Sequence, residues 1–551
     1  MTKFKIKFDF WTVVTLGIVI LFGVFLIYPL FSLFVSGFKE PVTGIFTFNN
    51  FLKFFQKRYY YQGLINSFMI TGCVTVLAIL IGAPLAYIMT VYKVKGKNLI
   101  EILIIISMLS PPFIGAYSWI LLSGRSGVIT KFFQDFLGIQ MPSIYGFGGI
   151  LLVLTLKLYP FIYLYVSGAL KKVDVSLIEA AESLGCSPIK KLFTVILPLI
   201  TPTLLAGSLL VFMNSIADFG TPMLIGEGFN VMPVMIYSEF ISEVGGEANF
   251  SAAMATIMVI ITALLFIGQK YIVNKKSFTM SSLRPIKPVK FKGIGGILSH
   301  AAIYIVVFFA IIPQLTVIFT SFLGTQGSRF LSTFSMDSYA MVFKTLWTSI
   351  ANTYVFGIEA ILIIVLLGMF IAYISIRRRN PLTSFIDTLT MFPYILPGSV
   401  LGITLLMAFT KKPLLLSGTV IIMVIAYVVR RLPYTLRSSA AILYQISPIL
   451  EEASISLGCS PVKTFFKVTA VMMLPGVFAG AILSWVTVIN ELSASIILYT
   501  GSTKTMSVAI YAEVIKSSYG TAAAISSILT ITTIISLFIF FKITGSKEVS
   551  V

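Results

Sequence analysis

Residues 179–188 read EAAESLGCSP, and residues 452–461 read EASISLGCSP. Each is a polar island between long hydrophobic runs. A connecting loop needs only to be polar and short, which explains neither the repetition nor the length. The wider segments are SLIEAAESLGCSPIKKLFTVILP from Ser176 and PILEEASISLGCSPVKTFFKVTAVMMLP from Pro448. In each, a serine (Ser176 or Ser447) is placed to cap a short helix that the Glu-Ala run propagates. Gly185 or Gly458 then ends the helix in the left-handed conformation. Ser187-Pro188 and Ser460-Pro461 start a second helix, proline being tolerated in the first turn. The predicted element is a short helix lying across a membrane face, followed by a sharp turn into the next hydrophobic run.

The surrounding composition places the islands in a membrane protein. Of 551 residues, 57% are hydrophobic and 11% charged, with a mean hydropathy of +0.99. A soluble chain of this size would need far more charge to cover its surface. The net charge of +20 does not indicate nucleic acid, because the basic residues gather in loops beside hydrophobic runs. Three cysteines and one histidine, His300, offer no metal site by spacing. His300 sits beside the start of a hydrophobic run and reads as an interfacial residue. The first apolar run, from Trp11 to Phe34, is too long for a signal-peptide core and reads as a retained span.

By the rule that roughly 20 apolar residues cross a bilayer, spans fall near 11–37, 64–92, 99–122, 146–170, 195–219 and 251–272. A second set falls near 298–322, 349–376, 384–410, 416–438, 468–495 and 519–542. The expected fold is therefore all-α, with about twelve spans. It divides into a first half (1–272), a basic linker (273–297) and a second half (298–551). The offset that carries Gly185 to Gly458 also carries Pro160 to Pro433, Ala206-Gly207 to Ala479-Gly480 and Asp218 to Glu491. Earlier in the chain a longer offset carries Asn66, Gly82 and Pro111 to Asn352, Gly368 and Pro397. The difference lies in a longer loop of the first half around Ser123 to Gly146. Such matching marks an internal repeat. An even number of spans per half makes the repeats parallel, with a pathway expected where they meet.

Basic residues set the orientation by majority. Lys3, Lys5 and Lys7, Lys93, Lys95 and Lys97, Lys171 and Lys172, the linker with Pro285 and Pro288, Arg377 to Arg379, and Lys542 with Lys547 all fall on one side. Glu227, Glu239, Glu243 and Glu247 fall on the other. Lys53, Lys57 and Arg58, and Lys411 with Lys412, vote against. The majority puts both termini and both islands in the cytoplasm.

The pattern Glu-Ala-Ala, three residues, Gly resembles the EAA loop of permease subunits in ATP-binding-cassette importers. The resemblance covers nearly the whole chain, whose halves are similar to type I importer permeases fused head to tail. It implies ATPase-coupling roles for Glu179, Ala180, Ala181 and Gly185, and for Glu452, Ala453 and Gly458. The second copy departs with Ser454 in place of the second alanine, and it keeps Pro475 opposite Pro202 but nothing opposite Pro198. The chain has no G-x-x-x-x-G-K-[ST] phosphate loop and no catalytic constellation, so no enzymatic activity or cofactor of its own is expected. The implied partners are a dimer of ATPase subunits that binds ATP and magnesium, an extracytoplasmic solute-binding protein, and the lipid bilayer of a bacterial inner membrane.

Ionisable residues inside spans are costly and default to functional roles. Asp218 and Glu491 occupy equivalent places near the outer end of the fifth span of each half. They could meet a cationic substrate or hold a gate, or each could cap a neighbouring segment. Lys157 and Arg430 are equivalent in the fourth spans and are further pathway or gate candidates, placed either to anchor helices by reaching backbone carbonyls freed by Pro160 and Pro433 or to meet the substrate directly. Glu239 and Glu513 are candidates for contact with a binding protein, or serve simply to solvate the outer face. Ser110-Pro111-Pro112 and Leu396-Pro397-Gly398 interrupt the third spans, as kinks or as breaks beside a cavity.

The ADFGTP segment at Ala217 and the NELSA segment at Asn490 look most like the ferric-iron group of fused permeases. Thiamine, 2-aminoethylphosphonate and polyamine systems are similar. An ion-coupled secondary transporter of twelve spans is the competing class, and it leaves the twin islands without a purpose.

Overall fold

The computed structural model describes residues 9–544 except 41–42, 110, 243–246, 276–283, 285, 287, 291–292 and 328. Lys3, Lys5, Lys7, Glu243, Pro285, Lys547 and most of the expected linker therefore lie outside the described residues. Among those described, nine helices are long and apolar enough to cross a bilayer. The third predicted span of each half is broken: Lys97–Leu109 is followed by the run Phe113–Leu137, itself interrupted over residues 124–127, and Pro381–Tyr394 is followed by Gly398–Ala408. These pairs bend by 101° and 111°. A proline inside a helix costs one backbone bond and bends it far less, so these are breaks rather than kinks. The remaining predicted span, near 416–438, is helix Val420–Gln445. It is long enough to cross, but Arg430, Arg431 and Arg437 keep it from being apolar throughout. One antiparallel hairpin, Leu323–Gln326 with Arg329–Phe334, was not apparent from the sequence.

The compact units do not follow the repeat boundary at the linker. One unit comprises Met1–Phe54, Ile236–Val259 and Leu323–Ser546. In it, helix Phe10–Phe22 lends Trp11, Ile18 and Phe22 to a core built otherwise from second-half spans, among them Phe356, Ile364 and Leu432. Trp11 lies 4.3 Å from the Tyr373 ring and 4.9 Å from the Phe465 ring, centroid to centroid. The other unit comprises Phe55–Met235 and Ile260–Phe322. Here helix Ile294–Thr320, the first span of the second half, adds Ile303, Val307 and Ala310 to the first-half core. Ser118 Oγ donates to Pro313 O at 2.8 Å within the same unit. The first helix of each repeat is thus packed into the unit built from the other.

Packing explains several repeated residues. In lipid, helices associate by close approach rather than by the hydrophobic effect. A Cβ on Gly82 would fall 2.6 Å from Tyr159 O, and one on Gly480 would fall 2.7 Å from Thr435 Cα; both crossings need the missing side chain. Asn66 Nδ2 donates to Asn230 O at 3.0 Å, and its counterpart Asn352 donates to Ser502 O at 2.8 Å and Lys504 O at 3.0 Å. One residue on, Ser67 Oγ accepts from Met232 N and Thr353 Oγ1 from Met506 N, each at 2.8 Å. These hydroxyls satisfy the first amide of helices Met232–Ile241 and Met506–Ile515, which are too short to span.

Both fifth spans also open in the same irregular way. The π-helical turns Leu192–Ile196 and Phe465–Thr469 occupy equivalent positions directly after each island. Such turns are uncommon and recur at functional places in helices.

Candidate functional site

The first island is helix Val175–Ser183. Its cap is Asp174, whose Oδ1 accepts from Ser176 N at 2.9 Å, not Ser176 as the sequence suggested. A carboxylate at that end both satisfies a free amide and complements the helix dipole. The helix ends with Cys186 N donating to Ala181 O at 3.0 Å and Gly185 N to Glu182 O at 2.9 Å. The second island, Ile449–Ser456, ends identically: Cys459 N donates to Ser454 O at 3.1 Å and Gly458 N to Ile455 O at 2.9 Å. This paired closure requires a left-handed residue, and Gly185 and Gly458 supply it with φ of 77° and 90°. Ser187 and Ser460 then cap Pro188–Lys191 and Pro461–Thr464. Ser447, the expected cap of the second helix, accepts only a long 3.4 Å bond from Ile449 N. The helix starts at Pro448 without a side-chain cap.

This closure pushes one leucine outward at each tip. Leu184 is 85% exposed and Leu457 87%. Sequence reasoning passed over both, since a leucine beside a C-cap glycine reads as ordinary packing; its repetition in SLGCSP was the available signal. Glu179, Ala180, Glu452 and Ala453 are exposed as well, while Ala181 is buried. Ser454, at the position of Ala181, reaches Thr464 Oγ1 at 3.0 Å. That bond joins the island helix to the turn beyond it. In the first island the ion pair of Glu182 with Lys191 makes the same connection, and Lys191 is the counterpart of Thr464.

The islands are fastened to their units by different groups. Arg377 donates to Glu451 Oε1 at 2.9 Å and to Ile446 O at 2.6 Å, and Tyr373 OH donates to Glu451 Oε2 at 3.1 Å. Glu451 is therefore a structural anchor, and Glu452 beside it stays outward. The first island has Ile178 at that position. It is held instead by Arg284, whose carbonyl accepts from Val175 N at 3.0 Å and whose guanidinium lies 3.6 Å from Glu179. A groove of ≈ 830 Å³ lined by Tyr87, Glu179, Glu182, Lys191 and Arg284 runs beside this island.

Deep in each unit lies a second repeated constellation. Lys157 Nζ meets Asp218 Oδ2 at 3.0 Å, and Asp218 Oδ1 accepts from Thr221 N at 2.9 Å. In the second half both Arg430 and Arg431 pair with Glu491, whose Oε1 accepts from Ala494 N at 3.1 Å. Each carboxylate thus joins a cation of the fourth span and caps the turn that follows its own helix. The sequence matched Lys157 with Arg430 and Asp218 with Glu491, but it considered the cations as carbonyl anchors or pathway groups and not as partners of these carboxylates, and it passed over Arg431.

Burying paired charges in this way is tolerable only when the partners stay in place. The third-span break makes room for the cation: a Cβ on Gly398 would fall 2.0 Å from Arg430 Nη1. At the corresponding break, Pro111 and Gly115 border a cavity of ≈ 20 Å³ that Lys157 and Gln314 also line. That volume is of water size and well below a solute pocket. Glu239 and Glu513 sit on the short helices Met232–Ile241 and Met506–Ile515, and Glu513 pairs with Lys516 at 3.2 Å.

Residues 78–278 and 364–544 match the family model for binding-protein-dependent transport system inner membrane components. The chain belongs to this family. It is a multi-pass membrane component of a transport system, built of two family repeats, rather than an enzyme. The ferric transport system permease protein FbpB of Actinobacillus pleuropneumoniae is 27% identical over 97% of this chain and 78% of its own length. The Fe(3+)-transport system permease protein FbpB 2 of Haemophilus influenzae is 25% identical over 87% of this chain and 89% of its own. The spermidine/putrescine transport system permease protein PotB of Haemophilus influenzae is 30% identical over 40% of this chain and 77% of its own.

Proposed function

We propose that this permease forms the translocation pathway of an ATP-driven importer of ferric iron. The observation that carries the iron assignment is that relatives matching along almost the whole chain are ferric permeases, whereas the polyamine relative matches 40% of it. Each island presents a knob to one subunit of a dimeric ATPase, which binds ATP and magnesium. Glu179, Ala180 and Gly185 form the first knob, and Glu452, Ala453 and Gly458 the second. Leu184 and Leu457 enter apolar hollows of the partner. Ala181 packs inward and holds the first knob's shape. The islands and both termini then lie in the cytoplasm, and an extracytoplasmic binding protein docks on the opposite face near Glu239 and Glu513.

The rigid left-handed turn after each island passes ATPase movement into the fifth span through its π-helical segment. We assign Lys157–Asp218 and Arg430–Glu491 to the gate, as pairs that tie the fourth span to the fifth and fix the turn beyond it. With these cations in place the carboxylates are already neutralised, so they serve the gate's mechanics ahead of binding a bare metal ion.

The test is uptake of labelled ferric iron by cells lacking this gene, with and without the wild-type chain. Restored iron uptake is the expected result. No iron defect, with restored spermidine uptake instead, would replace iron by a polyamine, the reading that the 30% identity to PotB favours.

A further inference from the structure

One apolar surface of the first half is covered by nothing in its unit. Helix Val128–Leu137, VITKFFQDFL, lies between the end of the broken third span at Ser123 and the start of the fourth at Phe147. Helical spacing puts Val128, Phe132 and Phe136 on one exposed face, with Ile129 and Phe133 half-buried on its inner flank, Lys131 and Asp135 along its outer flank, and Gln134 opposite. No residue of this helix is buried. Val128 is 72%, Phe132 52% and Phe136 77% exposed, and the rings of Phe132 and Phe136 pack on each other at 5.1 Å. The helix is locally specified, ending at Gly138 with φ of 64°, so this surface is a formed face and not a frayed loop.

Its height relative to the membrane is set from below. Only the four residues from Gly124 to Gly127 separate it from the third span. Arg125 Nη2 donates to both carboxylate oxygens of Glu227 at 2.8 Å and its guanidinium lies 5.0 Å from the Tyr145 ring centre. Gly146 N donates to Ile225 O at 2.6 Å. These contacts tie the loop base to the segment that follows the fifth span, at the end of helix Phe147–Leu170 away from the first island. The face is thereby held level with the end of helix Phe147–Leu170, a stretch long and apolar enough to cross a bilayer. The phenylalanine face itself carries no charge, and Lys131 and Asp135 along its flank cancel, so a charged protein surface has little to select. The second half has no such helix: its corresponding loop closes tightly, with Leu416 N and Ser417 N donating to Phe409 O at 3.0 and 3.1 Å.

We propose that Val128–Leu137 lies in the membrane interface, its phenylalanines inserted at the acyl–headgroup boundary of the leaflet away from the islands. Short amphipathic helices with an apolar aromatic face bind bilayers in this manner. The helix then anchors the outer end of the broken third span to lipid in the first half alone, whatever solute is carried.

The experiment uses the full chain with Cys73, Cys186 and Cys459 replaced by serine, and single nitroxide labels at Phe132→Cys, Phe136→Cys and Lys131→Cys. In phosphatidylcholine vesicles, collision with oxygen reports lipid and collision with a water-soluble nickel chelate reports solvent. The oxygen-to-chelate ratio is expected to be about fivefold higher at positions 132 and 136 than at 131. Equal, water-like ratios at all three would overturn the proposal. So would protection of 132 and 136 from both reagents, which would show a protein covering the face. Val128→Cys provides the same reading should a phenylalanine variant fail to insert.

Discussion

The two halves hold the same buried charge contact with different chemistry. In the first, one lysine meets one aspartate beside Pro111; in the second, two arginines meet one glutamate beside Gly398. What the repeat preserves is the topology, a fourth-span cation joined to a fifth-span carboxylate that caps the next turn. The residue types have drifted, and the local backbone with them, because a branched guanidinium needs the space that Gly398 leaves. The islands show the same pattern. The leucine tip and glycine closure are held in common, while the fastening groups, Arg284 and Arg377, come from unrelated parts of the chain. Shared features mark function, and divergent ones mark each half's own solution to stability.

The largest effect expected from this comparison is in the second half. Glu491→Ala leaves two guanidiniums without their carboxylate, whereas Asp218→Ala leaves a single ammonium. Removing one partner of a buried pair costs about 3–5 kcal/mol, so Glu491→Ala should abolish stable insertion. Asp218→Ala should yield protein with a lowered unfolding temperature. Equal losses in membrane yield and thermal unfolding would erase the distinction between the halves.

Next in size is Gly398→Ala. Its Cβ must displace Arg430, and crowding a packed site costs about 1–3 kcal/mol. Thermal unfolding of the purified chain checks the value. A smaller effect is expected at the closures: Gly185→Ala and Gly458→Ala each force a side chain into the left-handed region, at about 1 kcal/mol. Because both glycines share one geometry, the two variants should lose similar stability by thermal unfolding. The smallest is Ser454→Ala, which removes the bond to Thr464 and converts the second island to the first island's Glu-Ala-Ala pattern. A net hydrogen bond is worth about 0.5–1.5 kcal/mol, and transport should be unchanged when uptake is measured.

Much of this was legible in the sequence because it was written twice. The repeat placed the islands, their glycine ends, the paired Asp218 and Glu491, and the breaks at Pro111 and Pro397. Asn66 and Asn352 were visible as repeated residues, although their purpose, holding the segment before each short helix, needed coordinates. Three features escaped for physical reasons. The exchange of first helices between compact units depends on long-range packing of Trp11 and Ile303 that no local pattern encodes. Arg431 has no repeat partner, its counterpart being Leu158, so the comparison that found Arg430 was blind to it. Asp174 displaced Ser176 as the cap because both residues suit that role, and only the helix start decides between them.

The central claim is that the twin islands are the points where an ATPase drives this permease. The most direct test is ATP-dependent solute uptake into vesicles by the complete transport complex, comparing the wild type with Glu179→Arg, Glu452→Arg and the double variant. Both residues are exposed, and the first island keeps its Val175–Arg284 backbone bond when the solvent-exposed pair of Glu179 with Arg284 is lost, so the variants should insert and fold normally. The account predicts that each single variant slows uptake, and that the double variant loses it while remaining folded in the membrane. Uptake at the wild-type rate by the double variant would contradict it.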